Sequence, residues 1–218
     1  MRMSKSTSLA AYACLGLLAL GTGLSFVDPP QPHNIALQHV PTVPALAALA
    51  WAVATRKLGG FDFACFAVFL ALHVFGARWS YTFLPYDEWF QEWFGSDTND
   101  WFGWSRNHYD RLVHVAFGAC FTPPLVSWWR TKLGGWGTAW AVLGFVLGVS
   151  ALYEIFEWLL TLAVDPVRAD EYNGQQGDPW DAQKDMALAG AASALVLIVR
   201  VVSACSRRCG RSRLPLES

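Results

Sequence analysis

Residues 141–164 read AVLGFVLGVSALYEIFEWLLTLAV. The run holds no basic residue and only two acids, and it is long enough to cross a hydrocarbon core of about 30 Å as one helix. The acids, Glu154 and Glu157, stand three apart and share a helix face. A charged carboxylate left against lipid costs on the order of several kcal/mol. Both must therefore face a protein interior or a wet cavity, where they are paired, protonated or metal-bound. That requirement decides the fold class, because other helices must cover this face.

Working outward, apolar runs recur at 9–27, 41–55, 61–84, 108–129, 136–163 and 179–204. The second is short and carries Pro44, and it can begin as early as Ile35. Of 218 residues, 54% are hydrophobic and only 15% charged. A soluble domain carries nearer a quarter charged residues. The expectation is an all-α, polytopic membrane helical bundle of about six transmembrane helices. It forms a single domain over 1–206, followed by a basic cytoplasmic tail at 207–218. Arg2 and Lys5 before an apolar start resemble a signal sequence. With no small-residue cleavage site following, the first run reads as an uncleaved anchor.

Arg and Lys set the orientation. Eleven of the sixteen lie before the first run, between the second and third, between the fourth and fifth, or in and beyond the closing turns of the last. Only Asp62 and Glu217 among the seventeen acids join them. Both termini are therefore expected in the cytoplasm, and 28–40, 85–107 and 165–178 outside. Within the 85–107 loop, Tyr86, Trp89, Phe90, Trp93 and Phe94 recur at helical spacing, which predicts a short interfacial helix. Gly144 and Gly148 predict close helix packing on the fifth span, and the small residues of 190–194 predict it on the sixth. Of the five cysteines, only Cys205 and Cys209 are spaced as a possible metal pair, and that spacing is a weak signal.

The remaining intramembrane polar groups gather at one depth. Asp110 and His114 stand i, i+4 in NHYDRLVH, as do Asp181 and Asp185 in the segment opening the sixth span. At about 1.5 Å per residue, His114, Glu154, Glu157 and His73 all fall very roughly 10 Å inside the outer boundary. Unrelated structural hydrogen bonds would scatter in depth, so one shared site is expected. Carboxylates with imidazole suit a divalent transition metal such as Zn, Mn or Fe. Asp110, His114, Glu154, Asp181 and Asp185 are its expected ligands, with Glu157 as general base and His73 as a second catalytic group. Asp178 is expected to cap the sixth helix, with Gln176 and Gln183 behind the ligands. Arg106 and Arg111 are expected at headgroup level, and Lys184 in solvent.

The strings NHYDRLVH (107–114), YEIFEW (153–158) and GQQGDPWDAQKDM (174–186) resemble the YjdF-like inner-membrane family, as does the H-x-x-G…Y pattern of His73, Gly76 and Tyr81. The resemblance covers roughly residues 61–194. It implies a bacterial plasma membrane, a helical bundle and no known activity. The order of acidic motifs is more loosely similar to VanZ-like membrane proteins, which usually carry Gln where this chain has Glu157.

Three functions fit these residues. The first is a metal-dependent hydrolase or transferase acting on a lipid or envelope substrate. The second is a non-catalytic membrane scaffold or binding protein whose polar groups only fix helix packing. The third is a proton-coupled transporter, disfavoured because no inverted repeat is visible. No nucleotide loop, serine elbow or nucleic-acid patch is present. The lipid bilayer is the expected partner, and the Arg-rich end reads as a contact with anionic lipid.

Overall fold

The computed structural model describes residues 4–211, and every regular element among them is a helix. In chain order these are α1 (Lys5–Leu24), α2 (Ile35–His39), α3 (Thr42–Ala54), α4 (Gly60–Ala77), α5 (Tyr86–Phe94), α6 (Thr98–Phe102), α7 (Tyr109–Ala163), α8 (Pro166–Asn173) and α9 (Asp181–Arg211). Five helical stretches are long and apolar enough to cross a membrane. The longest of them makes two crossings. α7 has 55 residues and is broken at Gly134, whose φ of 67° and ψ of −174° reverse the chain. Such a conformation suits a residue without Cβ. The two limbs then run antiparallel, with the Trp129 and Phe145 rings 5.8 Å apart and the His114 and Tyr153 rings 6.1 Å apart.

The weak second span is divided between α2 and α3, and the stretch Ile35–Ala54 as a whole has the length to cross. Alternating crossings put α2, α5, α6 and α8 at one end of the bundle. There Arg78 donates to the carbonyls of Leu24, Ser25, Val27 and Asp28 at the close of α1, where a cation also complements the helix dipole. His33 meets Glu171 at 2.5 Å, tying the first outer segment to α8. At the opposite end Ser127 donates to Asp62 at 3.4 Å.

α5 and α6 form the interfacial layer. Trp89 packs edge-on against Trp79, while Phe90, Phe94 and Trp101 make a ring cluster. Trp93 and Phe94 stay exposed, as residues bathed in a headgroup zone would be.

Close helix packing uses glycines other than the expected pair. A Cβ added at Gly144 or Gly148 would meet nothing within 4 Å, so the anticipated packing motif is not a contact. A Cβ at Gly118 would run into the Ala189 carbonyl, and one at Gly190 would lie 2.8 Å from Leu147. The α7–α9 seam is therefore built on Gly118 and Gly190. It is tied below by Thr122 and Ser193, whose hydroxyls are 2.6 Å apart. Side chains of Cys205 and Cys209 lie outside the described residues, and the basic tail is described only to Arg211.

Candidate functional site

The Gly134 reversal places the start of the first α7 limb beside the end of the second, and α9 closes against both. Asp110, His114 and Asp185 thereby come together, with one ligand atom from each lying within 4.8 Å of the others. His114 Nε2 is 3.8 Å from Asp110 Oδ1 and 3.6 Å from Glu154 Oε1. Two donors on one ion, each at about 2.1 Å, stand roughly 3.5–4.2 Å apart. Side-chain rotation that draws the three donors inward would bring the set to those separations.

The cluster is buried and incompletely satisfied by protein donors. Asp185 is 2% exposed, and neither its Oδ1 nor Glu154 Oε1 has a hydrogen-bond partner. A buried carboxylate oxygen with no donor forfeits about 1–3 kcal/mol or more. Glu157, one turn beyond Glu154, is buried beside Tyr153 and Glu154. Asn173 of α8 donates to its backbone carbonyl at 3.1 Å, which brings the outer helix over this turn.

Asp181 stands apart from its expected partners. It is held by Arg106, with Nη1 at 2.5 Å and Nη2 at 3.2 Å, and by Arg111 at 3.2 Å. Asp178 receives Arg111 and Lys184, each at 2.6 Å. The two arginines are thus drawn inward, and Arg106 retains only 8% exposure of its side chain. Lys184 is paired rather than simply solvated. The bonds from Lys184, the Trp180 amide and Arg111 hold the Asp178 carboxyl down to about 2. Asp178 caps the turn at Trp180, and α9 proper begins at Asp181. Gln176 clamps the Asn107 backbone in both directions, at 2.9 and 3.0 Å, and Gln183 is exposed. Neither supports the carboxylate cluster.

His73 belongs to a third assembly. Ser25 Oγ donates to the Thr22 carbonyl at 2.6 Å, which leaves it to accept from His39 Nε2, also at 2.6 Å. His39 Nδ1 must then accept from Thr42 Oγ1 at 3.0 Å, and Thr42 accepts from His73 Nε2 at 2.6 Å. His73 Nδ1 accepts in turn from the Tyr81 hydroxyl. Because a carbonyl can only accept, the chain has one self-consistent direction for neutral imidazoles, with each ring's proton on Nε2. Ser80 and Tyr81 hold φ of 47° and 56°. Two consecutive side-chain-bearing residues in the left-handed region store strain of order 1–3 kcal/mol each. The sequence signalled His73 and Tyr81. Ser25, His39 and Thr42 carried no signal of their own.

Asp110 and His114 of the carboxylate cluster and Thr42, His73 and Tyr81 of the third assembly meet at a cavity of about 260 Å³. Asp110 and His114 line one wall, His73 and Tyr81 another, and Tyr153 and Tyr172 cap it. Burial pushes the Tyr172 phenol upward, so it is a neutral lid. His73 is thus brought to the cavity shared with the carboxylate cluster, but not to the cluster itself.

The profile of a family described as "Predicted membrane protein (DUF2238)" matches residues 10–204. The chain is similar to "Inner membrane protein YjdF" of Escherichia coli (strain K12). The two are 38% identical over 115 residues, which is 49% of this chain and 53% of that protein. The chain thus spans about half the length of this curated relative. No solved structure matches.

Proposed function

The chain belongs to the DUF2238 family of multi-pass inner-membrane proteins, and on that premise we propose that it is a bacterial membrane enzyme, a metal-dependent hydrolase or transferase. Its centre opens to the extracytoplasmic side and acts on a lipid or envelope substrate. Asp110, His114 and Asp185 are the ligands, with Glu154 as a fourth. One observation carries the reading: Glu154 Oε1 and Asp185 Oδ1 are buried, lack donors and lie beside an imidazole. Buried anions persist only when something compensates them. The nearest cations, Arg106 and Arg111, are already engaged by Asp178 and Asp181.

A divalent metal held by these residues would supply that compensation and could activate a water or polarise a substrate oxygen. In hydrolysis the water oxygen bonds to the acyl carbon or phosphorus. Its proton passes to Glu157, which returns it to the departing oxygen. Asp181 acts as the counter-ion of the arginines and stands outside the ligand set.

The test is a melting curve of chelator-treated protein with Zn, Mn or Fe(II) added back. Wild-type protein is expected to melt higher with metal, by an amount that grows with metal concentration. His114→Ala and Asp185→Asn are expected to show no such rise. A wild-type curve indifferent to all three metals overturns the reading.

A further inference from the structure

Beside the first cavity lies a second, apolar one of about 240 Å³, and the two share Ala45, Phe69, Leu70 and Phe121 as walls. The second cavity exists because α3 presents Ala45, Ala48 and Ala52 toward Phe66, Phe69 and Leu70 of α4. Spacings of three and four keep those alanines on one helix face. From Thr42 at the polar end to Ala52 is about 15 Å at 1.5 Å per residue. That is half of a hydrocarbon core about 30 Å thick, the reach of one leaflet.

Polarity is confined to one end. Asp110, His114, His73 and Tyr81 line the first cavity, and the second is walled by hydrocarbon side chains and rings. Ser150 supplies an independent sign of a ligand. It lines the first cavity, is 2% exposed, and its hydroxyl has no hydrogen-bond partner. It stands one turn from Glu154, between the carboxylates and the apolar slot. A buried hydroxyl left unpaired beside an apolar slot fits a ligand that carries an oxygen at the head of a hydrocarbon chain. Together the cavities reach the range of sites that hold one small ligand, about 300–1,000 Å³. That matches one chain and its head rather than a two-chain phospholipid.

We propose that this slot binds a single-chain lipid with an oxyanion head, the hydrocarbon lying between α3 and α4 and the head reaching Ser150 and the Asp110/His114/Asp185 cluster. The inference names the substrate class of the centre proposed above and rests on that reading for its head end only. The chain end stands on the two cavities and the alanine face.

The experiment is photolabelling in nanodiscs with a fatty acid bearing a mid-chain diazirine, followed by peptide mapping. A phosphatidylcholine with the same group in one tail serves as the second probe. Metal content is measured on the same samples. The fatty acid is expected to label residues 45–52 and 66–70. Ala48→Phe, which fills the slot, is expected to cut that labelling by roughly tenfold with metal content unchanged. Ala52→Leu provides a milder filling should the phenylalanine impair folding, and the wild-type map decides the matter alone.

Fatty-acid label confined to lipid-facing residues such as Leu195 and Ile198 overturns the proposal, as does equal slot labelling by the two-chain probe. Slot labelling in metal-free protein leaves this inference standing while the metal centre fails. Metal without slot labelling does the reverse.

Discussion

His114 Nε2 stands 3.6 Å from Glu154 Oε1, across the two limbs of a single hairpin and forty residues apart in sequence. The Gly134 reversal produces that approach, and Asp110 and Asp185 complete it. Three carboxyl groups around one imidazole form an arrangement that, if ionised, repels itself unless a cation intervenes. The relative stability of neutral variants must therefore change sign with metal.

In chelator, Asp185→Asn and Glu154→Gln are expected to melt as high as wild type or higher, because an amide relieves like-charge repulsion and burial of a charge. With saturating metal the order reverses, by about 1–3 kcal/mol. Differential scanning fluorimetry with and without metal reads both halves. The same ordering in both conditions would show that the carboxylates only pack.

Asp181→Asn is expected to act differently. It strips the buried Arg106 guanidinium of its two-point partner and leaves it only the more distant Asp178 carboxylate at 3.6 Å. Breaking such a pair costs about 3–5 kcal/mol, which corresponds to a fall of order 10 °C in a chain of this size. Metal content should not change. Asp181→Glu should recover part of the loss.

Gly118→Ala is expected to destabilise by about 1–3 kcal/mol or more, because its Cβ meets the backbone carbonyl of Ala189, which cannot swing aside. Gly144→Ala and Gly148→Ala face open space and should stay within about 0.5 kcal/mol of wild type. Unfolding in denaturing detergent distinguishes the three.

The Ser25–His39–Thr42–His73–Tyr81 chain fixes two tautomers. Nitrogen NMR of histidine-labelled protein should show His39 and His73 neutral, both protonated at Nε2. Thr42→Val should disturb both resonances at once and cost about 1–3 kcal/mol through the unpaired His39 Nδ1. A change confined to one ring contradicts the directional chain.

His108 packs against Trp104 with ring centroids 4.4 Å apart. Burial first, then Arg111 and Arg106, lowers its proton affinity below the ordinary 6.5. A histidine depressed by folding is neutral in the packed loop. Its stabilising part is present above the unfolded value of 6.5 and is lost as pH falls below it. Tryptophan fluorescence of the outer loop should shift as pH falls through that region, and His108→Gln should flatten the response.

Apolar length made the membrane-crossing helices legible, because it follows from the thickness of the bilayer itself. Shared depth likewise made the convergence of Asp110, His114, Glu154 and Asp185 legible. The partners of Asp181 were not legible, because i, i+4 spacing with Asp185 gives a helix face and not a partner. The long arms of Arg106 and Arg111 reach back and claim it. His39 and Ser25 were invisible because their bonds link separate helices and follow no local period. Gly118 escaped notice for a related reason. A close approach depends on the neighbouring helix, whereas the glycines at 144 and 148 only had the expected spacing.

The most direct measurement is elemental analysis of protein purified without chelator. The account expects near-stoichiometric Zn, Mn or Fe in wild type, loss in Asp185→Asn and His114→Ala, and retention in Asp181→Asn. Metal-free wild-type protein whose stability is unchanged by chelator or added metal would contradict it.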